Sequence, residues 1–173
     1  IWLSLKNAQI LCKAIQEALA QLDPDHAADY QQNLDRYNAQ LAQLDEAYQQ
    51  AVDGAACKTL LFGDRFPFRY LVDDYGLEYY AAFAGCSAET EASFATVAFL
   101  AQKVDELQLP CVLTIDGAQH KIAQTVVDST TQKNQQVLSL NSMQSVGSKQ
   151  IEQGASYLSI MEENLQVLKQ ALA

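Results

Sequence analysis

Basic residues are scarce in this chain and never cluster. Against 21 Asp and Glu stand 11 Lys and Arg, for a formal net charge of -10. With no basic run, nothing draws in a phosphate backbone, so nucleic acid is excluded as a partner. No apolar run reaches the roughly 18 residues that a membrane helix requires. No positively charged start followed by an apolar core marks a signal peptide. Only two histidines are present, and the four cysteines lack the C-x-x-C spacing of zinc or redox sites. Neither G-x-x-x-x-G-K-[ST] nor G-x-G-x-x-G follows any apolar stretch, and no G-x-S-x-G elbow occurs. A phosphate-loop, dinucleotide or triad enzyme is therefore not expected, and the chain reads as a non-enzyme.

What is present is a core-forming composition. The 173 residues are 49% hydrophobic and 18% charged, which fits one folded domain, or one domain with an appendage. The chain opens on apolar Ile1-Trp2-Leu3 without an initiator Met and is expected to be part of something longer.

Two helices come first. Ala8, Leu11, Cys12, Ile15, Ala18, Leu19 and Leu22 recur at three- and four-residue steps, predicting an amphipathic helix over Ser4–Leu22. Asp23-Pro24 ends it and starts a second helix, which runs to about Val52. Its seam of Tyr30, Leu34, Tyr37, Leu41, Leu44 and Tyr48 is heptad-like. Such a length spans two bodies or packs back as a hairpin. His26 lies in its polar first turn and receives no role.

After Gly54 the pattern alternates. Strands are expected at Thr59–Phe62, Glu78–Phe83, Cys111–Ile115 and Gln136–Leu140. The intervening helices are Phe66–Tyr75, Glu91–Leu107 and Gln119–Asp128, and Ser148–Leu172 closes the chain. The fold class is α/β: a four-stranded parallel sheet flanked by helices, preceded by an amphipathic helix and a long spanning helix. Residues 1–53 form the helical segment and 54–173 the α/β lobe. Cys57 and Cys111 each sit where a strand begins, so they are poor metal candidates, and a bridge between them is open if those strands are neighbours. Cys12 reads as a core residue, and nothing fixes the pairing of Cys86.

Parallel strands bring their carboxyl ends to one rim, where ligands bind in such sheets. The turns there are Gly63-Asp64-Arg65, Ala84-Gly85-Cys86, Asp116-Gly117-Ala118 and Asn141-Ser142-Met143. Asp64 and Asp116 offer hard oxygen ligands, Asn141 a neutral carbonyl oxygen, and His120 an imidazole. Each has a plainer reading: Asp64 as cap of the next helix, Asp116-Gly117 as a turn, His120 as a solvated surface residue. Both readings stand at this point. A Mg²⁺-dependent enzyme built on Asp64 and Asp116 lacks a nucleophile and a phosphate loop.

Several segments together resemble the substrate-binding proteins of bacterial zinc and manganese ABC transporters, the zinc-uptake and adhesin-type lipoproteins. Ile1-Trp2-Leu3-Ser4-Leu5-Lys6-Asn7-Ala8 is similar to that family's D-P-H-[IV]-W-L-x-P-x-N-A segment. Gly63–Tyr70 with Tyr75-Gly76-Leu77 resembles its third-ligand region and the aromatic helix ending in Y-G-L. Gly85-Cys86-Ser87 with Glu91-Ala92-Ser93 resembles G-x-S…E-P-S, and Leu140-Asn141-Ser142-Met143 falls at L-D-[PS]-[LM], where the family has its fourth ligand. The chain departs from the family at two ligand positions: counting back from Tyr75 places Arg65 at the third, where a one-residue shift would put Asp64, and Asn141 stands at the fourth. The resemblance implies a two-lobed receptor with Zn²⁺ or Mn²⁺ between the lobes and an ABC permease as partner. It implies an extracytoplasmic location, at the cell surface or in the periplasm, with an anchoring segment outside this chain. Without the first lobe, the Tyr30–Tyr48 seam should be partly uncovered and a homodimer of this chain is expected. The alternative is a diverged interaction or structural domain that binds no metal and self-associates through the long helix.

Overall fold

Each predicted strand is present, and the helices around them differ mainly at their ends. The computed structural model describes residues 1–83, 92–117 and 120–173. Helix α1 (Leu5–Leu22) starts at Ser4, whose hydroxyl accepts the Asn7 N–H and so satisfies one of the free donors of the first turn. A 3₁₀ turn, Pro24–His26, leads into α2 (Ala27–Asp53), whose 27 residues extend about 40 Å. There follow β1 (Thr59–Arg65), α3 (Arg69–Tyr75), β2 (Glu78–Phe83), α4 (Phe94–Leu107), β3 (Cys111–Ile115), α5 (Lys121–Asp128), β4 (Gln136–Leu140), α6 (Ser148–Glu152) and α7 (Tyr157–Ala171). The strands pair in the order β2-β1-β3-β4, all parallel.

Alternation along the strands builds a three-layer sandwich. Leu60, Phe62, Leu113 and Ile115 face one core with α1, α2, α3 and α7, while Leu61 and Val112 face a second core with α4 and α5. Strand β3 is buried throughout, as its near-continuous apolar sequence requires in a parallel sheet covered on both sides. The near ends of α1 and α2 share the first core through Leu5, Ala8, Leu41, Leu44, Tyr48 and Val52. Polar contacts reinforce the joint. The Tyr48 hydroxyl donates to the Met161 carbonyl at 2.7 Å, and Ser4 Oγ to Asp74 at 2.5 Å.

The differences from the sequence pattern have local causes. Strand β1 continues to Arg65 because a bulge between Phe62 and Arg65 keeps it paired to β2. Helix α3 starts only at Arg69, because Phe66 and Phe68 are spent on an aromatic cluster with Phe62 and Tyr79. Asp64 therefore lies in β1 and does not cap α3, which starts on Phe68 without a side-chain cap. Gly76, at φ 65, ends α3 in the left-handed conformation that favours glycine. The closing helix is broken near Gly154, whose φ is 96. Cys57 and Cys111 are free thiols despite lying at adjacent strands. Burial pushes the Cys111 thiol up to about 12, so it is no thiolate ligand at neutral pH. Cys12 is half-buried rather than central. The turn Ala84-Gly85-Cys86, the Gly85–Ser87 and Glu91 matches, Ala118 and the expected helix start at Gln119 lie outside the described residues.

Candidate metal centre

Helix α3, which follows β1, packs on one face of the sheet, whereas α5, which follows β3, packs on the other. The chain thus leaves the adjacent strands β1 and β3 toward opposite faces, which makes their carboxyl ends a topological switch point, the place where ligand crevices form in such sheets. The bulge in β1 sits at that point and sets the aim of Asp64. Gly63 brings α5 against β1 more closely than any side chain would permit: a Cβ there would lie 2.4 Å from the Ala123 Cα. The start of α5, and His120 with it, is thereby carried to the end of β1.

Three side chains meet at the switch point. Thr114, fully buried on β3, donates its hydroxyl hydrogen to Asp64 Oδ2 at 2.8 Å. His120 Nδ1 lies 3.3 Å from the same Thr114 oxygen. Asp64 Oδ1 accepts the Arg65 backbone N–H at 2.7 Å, and the Arg65 guanidinium is 3.8 Å from that oxygen. His120 holds a left-handed backbone, φ 55, as it turns the chain into α5, a conformation uncommon outside glycine and a few polar residues.

The other two candidates belong to a neighbouring arrangement. Asp116 Oδ1 accepts the Ser142 N–H at 2.6 Å and the Ser142 hydroxyl at 2.8 Å. Asp116 Oδ2 accepts the Ser145 hydroxyl. Burial raises the Asp116 carboxyl, but the hydrogen bonds from Ser145 and Ser142 outweigh it and hold the group below the usual carboxylate range. Asn141 Oδ1 accepts the Met143 N–H at 2.8 Å, and the Asn141 backbone is clasped by the buried Asn164 side chain at 2.7 and 2.9 Å. Trp2 Nε1 donates to the Ser142 carbonyl at 3.1 Å, tying the amino-terminal segment to the same loop. Asp116 and Asn141 are thus occupied in shaping the loop after β4.

Among the described residues no group of three or more His, Cys, Asp or Glu converges. Asp64 and His120 are drawn together through Thr114, and together they offer at most two of the four donors that a tetrahedral zinc site needs. Thr114 was missed by sequence reasoning. Its only signal was a hydroxyl in an otherwise apolar strand.

An all-parallel α/β sheet with a polar cluster at its switch point is the framework of a ligand-binding lobe. The chain belongs to the family described as zinc-uptake complex component A, periplasmic, which it matches over residues 1–171. That family is one of metal-uptake components, not of enzymes. The chain is 30% identical over 170 residues to the zinc-binding lipoprotein AdcA of Streptococcus pneumoniae, covering 98% of this chain and 33% of that protein. It is also 30% identical over 172 residues to the high-affinity zinc uptake system protein ZnuA of Bacillus subtilis, covering 99% of this chain and 52% of that protein. The crystal structure of the Zn(II)-bound ZnuA-like domain of Streptococcus pneumoniae AdcA superposes with a TM-score of 0.79 at 29% identity, over 99% of this chain and 62% of that one. The metal-dependent lipoprotein YcdH of Bacillus subtilis gives 0.83 at 29% identity, over 99% and 63%. The chain thus spans between a third and two thirds of these relatives. No helix among the described residues is long and apolar enough to cross a membrane.

Proposed function

We propose that this chain is the carboxyl-terminal lobe, with the inter-lobe helix, of an extracytoplasmic zinc-binding component that delivers its ion to an ABC permease. The observation that carries this reading is the family match across residues 1–171 combined with coverage of only 62% of the zinc-bound AdcA domain. Residues 1–53 then form the edge of a first lobe and the spanning helix, and 54–173 the second lobe. The bare apolar face of α1, with Leu11, Ile15 and Leu22 at 46%, 59% and 83% exposure, is what a preceding lobe would cover.

In this reading the Asp64–Thr114–His120 corner is the second lobe's share of the ion site, and Asp116 and Asn141 hold the loop beside it. Zinc is favoured over manganese, because an imidazole is a better zinc donor while manganese prefers all-oxygen sites. The ion is cargo, so it must be released as well as held. A site completed by ligands of the facing lobe allows both. Anchoring to the membrane falls to a segment outside these residues. Calorimetric titration of the two-lobed protein with Zn²⁺ and Mn²⁺ tests the reading: zinc should bind the more tightly, and absence of binding by either ion would refute it.

A further inference from the structure

The geometry points to His120 Nε2 as the atom through which this lobe holds zinc, with Asp64 acting on it through Thr114 instead of touching the ion. This rests on the metal-binding reading above and specifies its ligand. The Thr114 hydroxyl carries one hydrogen, and a carboxylate only accepts. That hydrogen is therefore committed to Asp64 Oδ2 at 2.8 Å. Toward His120 the Thr114 oxygen is left as an acceptor, so the contact at 3.3 Å requires the hydrogen on Nδ1. A neutral imidazole protonated at Nδ1 has its lone pair on Nε2. Nε2 has no hydrogen-bond partner among the described residues, and on this exposed residue it is open to water or to an ion.

An imidazole whose outer N–H is held by the protein and whose other nitrogen is bare is the arrangement of metal-ligating histidines. The exposed ring is held on its Nδ1 side by a threonine that is itself fully buried, and it leaves a backbone turned at φ 55. Asp64 is poorly placed to bind the ion directly. Both of its oxygens already accept hydrogen bonds, and the Arg65 guanidinium lies 3.8 Å from Oδ1. A cation on that oxygen would meet a like charge. Arg65 and Asn141, at the positions of the resembled family's third and fourth ligands, offer respectively no lone pair and a neutral amide oxygen that already accepts the Met143 N–H. His120 supplies what those two positions lack.

The test uses this chain and Zn²⁺, read by imidazole nitrogen NMR. The chain's two histidines make assignment direct, and His26, exposed beside Asp23, is the surface control. Before zinc, His120 should show a hydrogen on Nδ1 and a bare Nε2. On titration the His120 Nε2 resonance should shift and saturate while that of His26 does not follow. His120→Gln should abolish zinc binding by this chain as read by calorimetry. Thr114→Val should weaken zinc about tenfold, the lower end for lost outer-shell partners, and Thr114→Ser should restore it. Asp64→Asn, which keeps an acceptor for Thr114, should lose less than His120→Gln.

Three results overturn the inference while leaving the zinc function standing: calorimetric zinc binding with His120 unmoved, His26 shifting equally, or a hydrogen found on Nε2. Failure of both this chain and the two-lobed protein to bind zinc overturns the functional reading and this one with it. The tautomer and the zinc-induced His120 shift in the unsubstituted chain decide the matter even if Thr114→Val fails to fold.

Discussion

At the scale of single residues, two positions carry more than their size suggests. Gly63 is where β1 and α5 touch, with the Ala123 backbone in the space a side chain would need. Gly63→Ala should cost about 1–3 kcal/mol, the usual range for overpacking, seen as a lower midpoint in denaturant unfolding; an unchanged midpoint would mean α5 moves freely. Asp116 is the second. Its carboxyl is depressed in the folded chain, so its stabilising contribution is fully present above the unfolded value of about 3.9. It is lost as the pH falls through the folded value. Trp2 is the chain's single tryptophan and bonds to Ser142, which Asp116 holds, so its fluorescence reports on that loop. The emission should be steady from neutral pH down to about pH 4 and change below it. In Asp116→Asn the acid transition should vanish, because the titrating group is gone. The candidate donors Asp64, Asp116, His120 and Asn141 were legible from their places at strand ends. Their partners were not, because Thr114, Ser142 and Asn164 sit 50, 26 and 23 residues away from the groups they bind and carry no local signature.

Among the elements, β2, β3 and β4 have the bounds that their apolar runs predict. Burial on both faces fixes β3, and parallel pairing to β1 and β3 fixes the edge strands β2 and β4. Strand β1 ran past its apolar stretch because pairing through a bulge tolerates Gly63-Asp64. The closing helix was read as one because its apolar stripe persists across Gly154, while the backbone there adopts φ 96. The bare surface was expected on the Tyr30–Tyr48 seam of α2. Its first half fits, with Tyr30, Leu34 and Tyr37 only half-buried, whereas Leu41, Leu44 and Tyr48 are buried, covered by the sheet core, α1 and α7, and the more exposed apolar face is on α1. A helical period reveals that a face is apolar but not which neighbour covers it. As this chain alone, the α1 face should drive weak self-association, visible as concentration dependence in sedimentation equilibrium. Ile15→Glu should abolish it with the fold intact. Association that persists unchanged in that variant would place the contact elsewhere.

For the whole molecule, the alternation of strands and helices gave the class and strand number, while the sheet order β2-β1-β3-β4 had to be seen. That order decides the site, since it separates the helices after β1 and β3 and sets Asp64 and His120 at the switch point. The site offers too few donors to close a zinc shell from one lobe, among the described residues. On the proposed function, affinity depends on ligands brought by a facing lobe, and release of the ion accompanies their separation. The most direct measurement is zinc titration by calorimetry of this chain beside the two-lobed protein under the same buffer. The chain should bind at least about a hundredfold more weakly, equivalent to roughly 2.7 kcal/mol. A single site on this chain as tight as that of the two-lobed protein would contradict a zinc site shared between lobes.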